Sequence, residues 1–142
     1  MASIDTTEGT RRPFYRGMGL GSRTALYVLL PDNINPIWES ADGGDRGACF
    51  ELGMYFLKRG ITDEAYNWFQ AGADMCSVNG NHNCMLVLAE MHLIGYGAYL
   101  DRDIARNYYK HALEKGEAFD ARCTDTLAVL KKAFPEVEAK GE

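Results

Sequence analysis

Two cysteines and a histidine lie close together between residues 76 and 84, and their side chains are zinc ligands in many proteins. Cys76, His82 and Cys84 form the pattern C-x5-H-x-C. Thiolate and imidazole groups bind zinc, but a structural site needs four ligands and the pattern supplies no obvious fourth. The alternative is that both cysteines belong to a hydrophobic core and that His82 lies in a loop. A Cys–His nucleophilic pair is a further alternative, although each cysteine falls where a helix face needs a small apolar side chain.

Histidines and paired aspartates are the other candidates for acid–base chemistry. His92 falls among inward-facing positions of a predicted helix, and His111 falls on the outer side of another. Asp101 and Asp103 could form a two-carboxylate site. They also stand in a predicted first helical turn, where capping and the helix dipole account for acidic residues. We therefore predict no catalytic residue, no cofactor and no enzymatic activity.

A glycine-rich segment, GMGLGSR, spans Gly17 to Arg23. Such loops bind phosphate when a strand precedes and a helix follows. No strand-like segment precedes this one and it has no Walker lysine, so we interpret it as a linker.

The charge distribution argues against several classes of partner. The net charge is −5, divided as +2 over residues 1–23 and −7 over the remaining residues. An acidic body is unsuited to nucleic acid, because binding phosphates requires clustered lysine and arginine. The longest apolar run, Ala25–Leu30, is too short to span a bilayer, and no apolar run follows the first charges as in a secretory signal. We expect a cytoplasmic protein with reduced cysteines and no membrane contact.

Hydrophobic spacing divides the chain into three parts. Residues 1–44 are predicted to be a partly ordered arm and loop, residues 45–134 a helical domain, and residues 135–142 a frayed tail. The segment TALYVLL, from Thr24 to Leu30, is either a short strand or one buried helical turn. The segment from Pro31 to Asp45 is predicted to be a loop whose Trp38 packs onto the helical domain.

Five helices are predicted after Asp45, because apolar residues recur there at spacings of three and four. Thr62 and Asp101 are the expected N-caps, while Gly60, Gly95 and Gly116 are expected to end helices. The inward-facing residues of the five helices are Ala48, Leu52, Tyr55, Phe56 and Arg59; Ala65, Trp68, Phe69 and Ala73; Cys84, Leu88 and Met91; Ala105, Tyr108, Tyr109 and Ala112; and Phe119, Cys123, Leu127 and Leu130.

The first four helices form two pairs with related sequences. Cys84 follows Ala48 by 36 residues, and Tyr108 follows Trp68 by 40. Repetition at this period predicts an all-α helical-hairpin solenoid. Small alanines allow helices to approach closely, and aromatic rings one turn away fill the space between neighbouring pairs.

The residues of both units resemble the Sel-one-like repeat, a relative of the tetratricopeptide repeat. The resemblance covers residues 45–116. The matching residues of the second unit are Gly95, Gly97, Asp101, Ala105, Tyr108, Tyr109, Ala112 and Gly116, and those of the first are Leu52, Gly53, Tyr55, Gly60, Asp63, Ala65, Trp68 and Phe69. In the first unit the interhelix loop is shorter, and Gly72 stands at a usual alanine position. The resemblance implies a short helical-repeat solenoid, here with a C-terminal capping helix and an irregular N-terminal segment.

The resemblance also implies a scaffold or regulatory protein that binds another protein through the concave face of its first helices. The candidate contact residues for that face or its rim are Tyr55, Arg59, His92, Tyr96 and Tyr99. A small acidic inhibitor of a basic protein and a metal protein or enzyme using the Cys/His cluster are the alternatives. Two repeats need a cap, because about three are normally required for stability. Either Leu26–Leu29 or a second copy of the chain, in a homodimer, would supply it.

Overall fold

The computed structural model describes residue 31, residues 33–75 and residues 77–137, and within them it contains six α-helices, one short 3-10 helix and no strand. The helices are α1 (Asn35–Asp42), α2 (Arg46–Lys58), α3 (Thr62–Ala73), α4 (His82–Ile94), α5 (Arg102–Glu114) and α6 (Thr124–Ala133); the 3-10 helix spans Ala121–Cys123. The predicted all-α class is confirmed for this part of the chain. Leu26–Leu29, the segment TALYVLL and the glycine-rich segment lie outside the described residues.

Side-chain caps define where three of the helices begin. The side-chain oxygens of Asp45, Asn81 and Asp101 accept hydrogen bonds from the backbone N–H groups of Ala48, Cys84 and Ile104. Such bonds satisfy N–H groups that have no partner within the helix. The predicted cap at Asp101 is therefore confirmed.

The predicted cap at Thr62 is wrong, because Thr62 is already the first residue of α3. Ile61 occupies the cap position without a side-chain hydrogen bond. Its side chain is buried, and its N–H donates to the carbonyl of Phe56. The turn at Gly60, where φ is +74°, places Ile61 at the cap position. Helix α3 therefore begins one residue earlier than predicted. Asp63 and Glu64 stabilise that first turn through the helix dipole.

The helices pack in the order in which they occur along the chain. Helix α2 packs against α3, α4 against α5, and α3 against α4, so two antiparallel pairs share one core. Several inward-facing positions predicted from the sequence have no exposed surface, among them Leu52, Ala65, Leu88 and Ala105. Phe69 of α3 and Tyr109 of α5 are 0% and 1% exposed. Arg59 is an exception, since it is exposed at the end of α2.

The segment predicted to be a loop before Asp45 contains helix α1. A proline in the first helical turn favours helix initiation, because the missing N–H would have had no partner there. The ring of Trp38 packs edge-on against Phe56 and Trp68, at centroid distances of 6.2 and 5.2 Å. The predicted packing of Trp38 onto the helical domain is confirmed. The loop prediction failed because the prolines, asparagines and glycines stand before the helix, in its first turn or after its last residue, and none interrupts its interior.

After Gly116 the chain packs on α4 and reaches Glu51 of α2, so it contacts the first helix of each pair. Helix α6 packs mainly on α4, and Cys123, Leu130 and Phe134 are at most 1% exposed. The predicted fifth helix is shorter than expected, since its α-helical part begins at Thr124. In residues 135–137, the first part of the predicted frayed tail, Glu136 accepts a hydrogen bond from Arg106 and Val137 packs against the core.

Candidate functional site

Exposed apolar side chains are concentrated where α4 ends and α5 begins. Among the described residues, five of the exposed large hydrophobic side chains fall between positions 94 and 104. We call these five the loop patch: Ile94, Tyr96, Tyr99, Leu100 and Ile104, which are 56%, 46%, 87%, 73% and 39% exposed. Folded proteins rarely expose apolar side chains in such concentration unless the surface contacts another molecule.

Two glycines shape the loop that carries the patch. Gly95 caps α4 with φ +74°, and Gly97 has φ +76°. A Cβ atom added at Gly97 would lie 2.7 Å from the Cβ of Thr62 and 2.8 Å from the Cε of Met91. The backbone at Gly97 therefore lies directly against the start of α3, in a conformation that other residues rarely adopt. The predicted helix end at Gly95 is confirmed.

His92 is buried next to the same loop and forms hydrogen bonds with it. Its side chain is 3% exposed. Nδ1 is 2.9 Å from the Tyr99 carbonyl oxygen, and Nε2 is 3.0 Å from the Tyr66 hydroxyl. A carbonyl only accepts, so Nδ1 carries the proton, and in the neutral ring Nε2 accepts from the Tyr66 hydroxyl. The backbone carbonyl of His92 also accepts from the N–H of Asp101 at 3.0 Å. His92 therefore holds the loop at two points, at Tyr99 through its side chain and at Asp101 through its backbone carbonyl.

Aromatic rings surround this histidine. Tyr108 stacks on His92 at 5.8 Å with the planes 16° apart, and Tyr66 meets it edge-on at 5.5 Å. Burial, and secondarily the neighbouring Tyr108, raise the pKa of the Tyr66 phenol above its ordinary value. The Tyr66 oxygen also accepts from Nε2 of Gln70 at 3.3 Å. Tyr66 therefore remains a neutral hydroxyl within a fixed network at neutral pH.

A pocket of about 440 Å³ opens beside the loop patch. It is lined by Tyr66, Gly97, Ala98 and Tyr99, with mostly apolar walls. This volume lies within the range of ~300–1,000 Å³ found for binding pockets. The loop thus provides both a projecting apolar surface and a recess next to it.

The structure places the predicted contact residues in different environments. Tyr96 and Tyr99 belong to the loop patch, whereas Arg59 is exposed at the end of α2 and its guanidinium stacks 3.7 Å above the ring of the half-buried Tyr55. His92 is buried and is bonded to the Tyr99 carbonyl. Sequence reasoning missed Ile94, Leu100, Ile104 and Tyr66. The available signal was the run of apolar residues around the G-x-G turn, which does not reveal exposure.

The face formed by the first helices, which was the expected concave binding face, is partly covered by the chain itself. Asp120 N–H donates to the Asn83 side-chain oxygen at 2.8 Å, and Thr126 Oγ1 donates to Glu90 at 2.7 Å. Arg122 donates to both carboxylate oxygens of Glu51, at 3.0 and 2.8 Å. Since the covering segment contributes Cys123 and Leu130 to the core, this part of the face is closed to a partner.

The described cysteines are core residues. Cys49, Cys84 and Cys123 are buried, and burial raises the pKa of each thiol, that of Cys84 well above its usual value and that of Cys123 to about 11. Such thiols are poor nucleophiles and poor metal ligands, because both roles require the thiolate.

The two described members of the Cys/His pattern have different neighbours. Nε2 of His82 donates to the Ala118 carbonyl at 2.7 Å, whereas Cys84 packs beside Gly72. Cys76 lies outside the described residues. Within the described ranges, no group of three or more His, Cys, Asp and Glu side chains is placed to hold a metal ion.

None of the helices that the structure describes combines the length and hydrophobicity needed to cross a membrane. The chain matches no protein-family model, no curated protein and no solved structure.

Proposed function

We propose that this chain is a non-enzymatic protein-binding module that holds its partner on the loop patch and in the adjoining pocket. The observation that carries this proposal is the concentration of exposed apolar side chains between Ile94 and Ile104. Tyrosines in such positions supply large contact areas with few rotatable bonds, which is why they are enriched in interfaces.

The restraint of the loop supports the same proposal. The Tyr99 carbonyl is bonded to His92, and the backbone at Gly97 lies against Thr62. A loop held in one conformation before binding loses less conformational entropy in the complex. An exposed apolar loop without such anchors would have no comparable preorganisation.

The architecture we propose is a short stack of helical hairpins of the Sel-one-like type. The side chains of Asp45 and Asn81, 36 residues apart, cap α2 and α4 with hydrogen bonds of the same length, 3.0 Å. Ala65 of α3 and Ala105 of α5, 40 residues apart, are both 0% exposed. Helix α1 then covers the first pair, which is the role expected of a cap. A homodimer remains a prediction, with the loop patch as its available surface.

The proposed non-enzymatic character is supported by the structural roles of several candidate catalytic groups. Both ring nitrogens of His92 are hydrogen-bonded, and Asp101 caps α5. Cys49, Cys84 and Cys123 are buried thiols with raised pKa values. Each of these side chains has a structural role that accounts for its position.

The proposal is tested by removing the apolar character of the loop without touching its anchors. We expect Tyr99→Ser with Leu100→Ser to abolish recovery of the partner in affinity purification from native cells, read by mass spectrometry. Val78→Ser is the matched control, because Val78 is 89% exposed on a different loop. Tyr55→Ala with Arg59→Ala tests the Tyr55/Arg59 pair at the end of α2 as an alternative interface. Retention of the partner by the folded loop variant would overturn the proposal, and loss only in the Tyr55/Arg59 variant would move the interface to the end of α2.

The acidic inhibitor remains the second candidate, since the net charge is −5. Binding dominated by surface charge weakens steeply with added salt, whereas binding through the loop patch changes little. Titration of the purified pair at increasing salt separates the two candidates.

A further inference from the structure

We propose that the pocket beside the loop patch receives a positively charged side chain, lysine or arginine, from the protein partner. This inference rests on the proposed function, because it names the chemistry of the residue that would occupy the same site. The pocket is the recess lined by Tyr66, Gly97, Ala98 and Tyr99.

The side chains that line the pocket suit an organic cation. Among the described residues that line the pocket, Tyr66 and Tyr99 contribute aromatic rings, and Gly97 and Ala98 contribute little beyond backbone. Aromatic rings attract ammonium and guanidinium groups through their negative faces, and the mostly apolar wall accommodates the methylene groups of either side chain. The Tyr66 phenol is neutral at neutral pH, because its pKa is raised. Its attraction for a cation would therefore come from the aromatic ring and not from a charged oxygen.

Three arginines in the part of the chain that the structure describes, at the end of α2 and on α5, are engaged with other groups. Arg59 lies over the Tyr55 ring and donates to the Tyr55 carbonyl. Arg102 donates to the Ala133 carbonyl and lies 4.7 Å above the Phe134 ring. Arg106 pairs with Glu136. None of these three guanidinium groups is among the residues that line the pocket.

Two carboxylates follow the pocket-lining residues 97–99 closely along the chain, at the start of α5. Asp101 precedes α5 and Asp103 is in its first turn. Together with the acidic net charge, these carboxylates favour a cation in the pocket and disfavour an anion.

The test uses three acetylated and amidated peptides of glycine and serine that differ only in the central residue, which is arginine, lysine or citrulline. Citrulline retains the shape of arginine without its charge. We expect the arginine and lysine peptides to shift the backbone amide resonances of Gly97, Ala98 and Tyr99 in ¹⁵N-labelled full-length protein. The citrulline peptide should bind several-fold more weakly. Equal shifts with all three peptides, or no shift at these amides with any of them, would overturn the inference.

Two substitutions at the most exposed wall serve as matched variants. Tyr99→Leu removes the aromatic ring and should weaken binding of the arginine peptide about two- to fivefold. Tyr99→Phe should bind this peptide as tightly as the unaltered protein does. Equal affinities of these two variants would also count against a cation–ring contact. Loss of the native partner in the Tyr99/Leu100 serine variant, combined with equal citrulline binding, would leave the protein-binding proposal standing and remove only the cationic occupant.

Discussion

Phe56 of α2 and His92 of α4 lie 36 residues apart, each on the first helix of a packed helical pair. Both are buried, at 0% and 3% exposure. Each is met edge-on by an aromatic ring from the preceding part of the stack: Trp38 against Phe56 with an interplanar angle of 81°, and Tyr66 against His92 with an angle of 75°. The second pair therefore has the hydrogen-bonding ring of His92, whereas the first has the apolar ring of Phe56. The ring of His92 also bonds the loop patch through the Tyr99 carbonyl.

The first prediction concerns this exchange of rings. His92→Phe should preserve packing but leave the Tyr99 carbonyl and the Tyr66 hydroxyl without their partner. A lost hydrogen bond of this kind costs about 1–3 kcal/mol when the groups stay buried. We expect faster amide hydrogen exchange in residues 95–101, with little change in α2. Tyr66→Phe removes only one of the two bonds and should have a smaller effect. Unchanged exchange in the loop would show that His92 does not restrain it.

The second prediction tests α1 as part of the core. Trp38→Ala should lower the free energy of unfolding by about 3–5 kcal/mol, because it leaves a cavity between Phe56 and Trp68. Trp38→Phe should cost less, and the exposed Ser40→Ala should change little. Urea denaturation measures all three. A loss below about 1 kcal/mol for the alanine variant would mean that α1 contributes nothing to the stability of the helical pairs.

The third prediction concerns the close approach of three helices at Gly72. A Cβ atom added there would lie 2.5 Å from the sulfur of Cys84 and 3.0 Å from the Cβ of Cys49. Gly72→Ala should therefore destabilise the fold by about 1–3 kcal/mol, despite the higher helix propensity of alanine.

Adding Cys84→Ala to this variant should recover part of the loss, since the double substitution removes the closest atom. A double-mutant cycle measured by urea denaturation should show a coupling of at least about 0.5 kcal/mol. Additive effects of the two substitutions would rule out the steric explanation.

The fourth prediction is a pH dependence of stability. Hydrogen bonds from Arg122 lower the pKa of Asp120 from 3.8 to about 2 and also lower that of Glu51. A lowered folded-state pKa means that the stabilisation is present above the ordinary value and is lost as the pH falls through the folded-state value. The difference in unfolding free energy between the native chain and Arg122→Gln should therefore shrink from about pH 5 to about pH 2.

The size of this effect is limited by solvent, because the Arg122 and Glu51 side chains are 40% and 45% exposed. We expect no more than about 1 kcal/mol. Lys132→Gln, an exposed lysine of α6, provides a control for the loss of one positive charge, because Lys132 is not among the groups that shift the pKa of Asp120 or Glu51. A difference that stays constant over the whole pH range would show that the two carboxylates do not contribute through Arg122.

The fifth prediction concerns thiol reactivity. In a Cys76→Ser background, the thiols of Cys49, Cys84 and Cys123 should resist an aromatic disulfide reagent at about pH 8, because burial excludes the reagent and raises their pKa values. Labelling should begin only when urea unfolds the chain. Rapid labelling under native conditions would contradict the assignment of these residues to the core.

Much of the helical architecture was predictable, because it depends on local patterns. Apolar residues at spacings of three and four mark the faces of α2 to α5, and a carboxylate before a helix marks its first turn, as at Asp101. The same local logic failed for α1. The prolines, asparagines and glycines at and beyond its two ends suggested a loop, although Trp38 and Ala41 are both buried.

The candidate site was only partly predictable. Tyr96 and Tyr99 were predicted to be candidate contact residues from their type, and the structure shows that both are exposed; their contact with a partner stays a prediction. The role of His92 depends on atoms from three other segments: the hydroxyl of Tyr66, the carbonyl of Tyr99 and the ring of Tyr108. Nothing in a linear pattern specifies which side of a turn meets another helix, so Ile94, Leu100 and Ile104 could not be recognised as exposed.

By itself, the sequence determined the class of the fold, the extent of helices α2 to α5 and the small residues at their contacts, because these follow from periodicity and side-chain size. Only the tertiary structure decided which surfaces remain open. The segment after Gly116 returns across α4 to reach Glu51, and the loop after α4 is pinned against Thr62 by contacts distant in sequence. Exposure depends on what packs over a residue, and residues far away along the chain determine that.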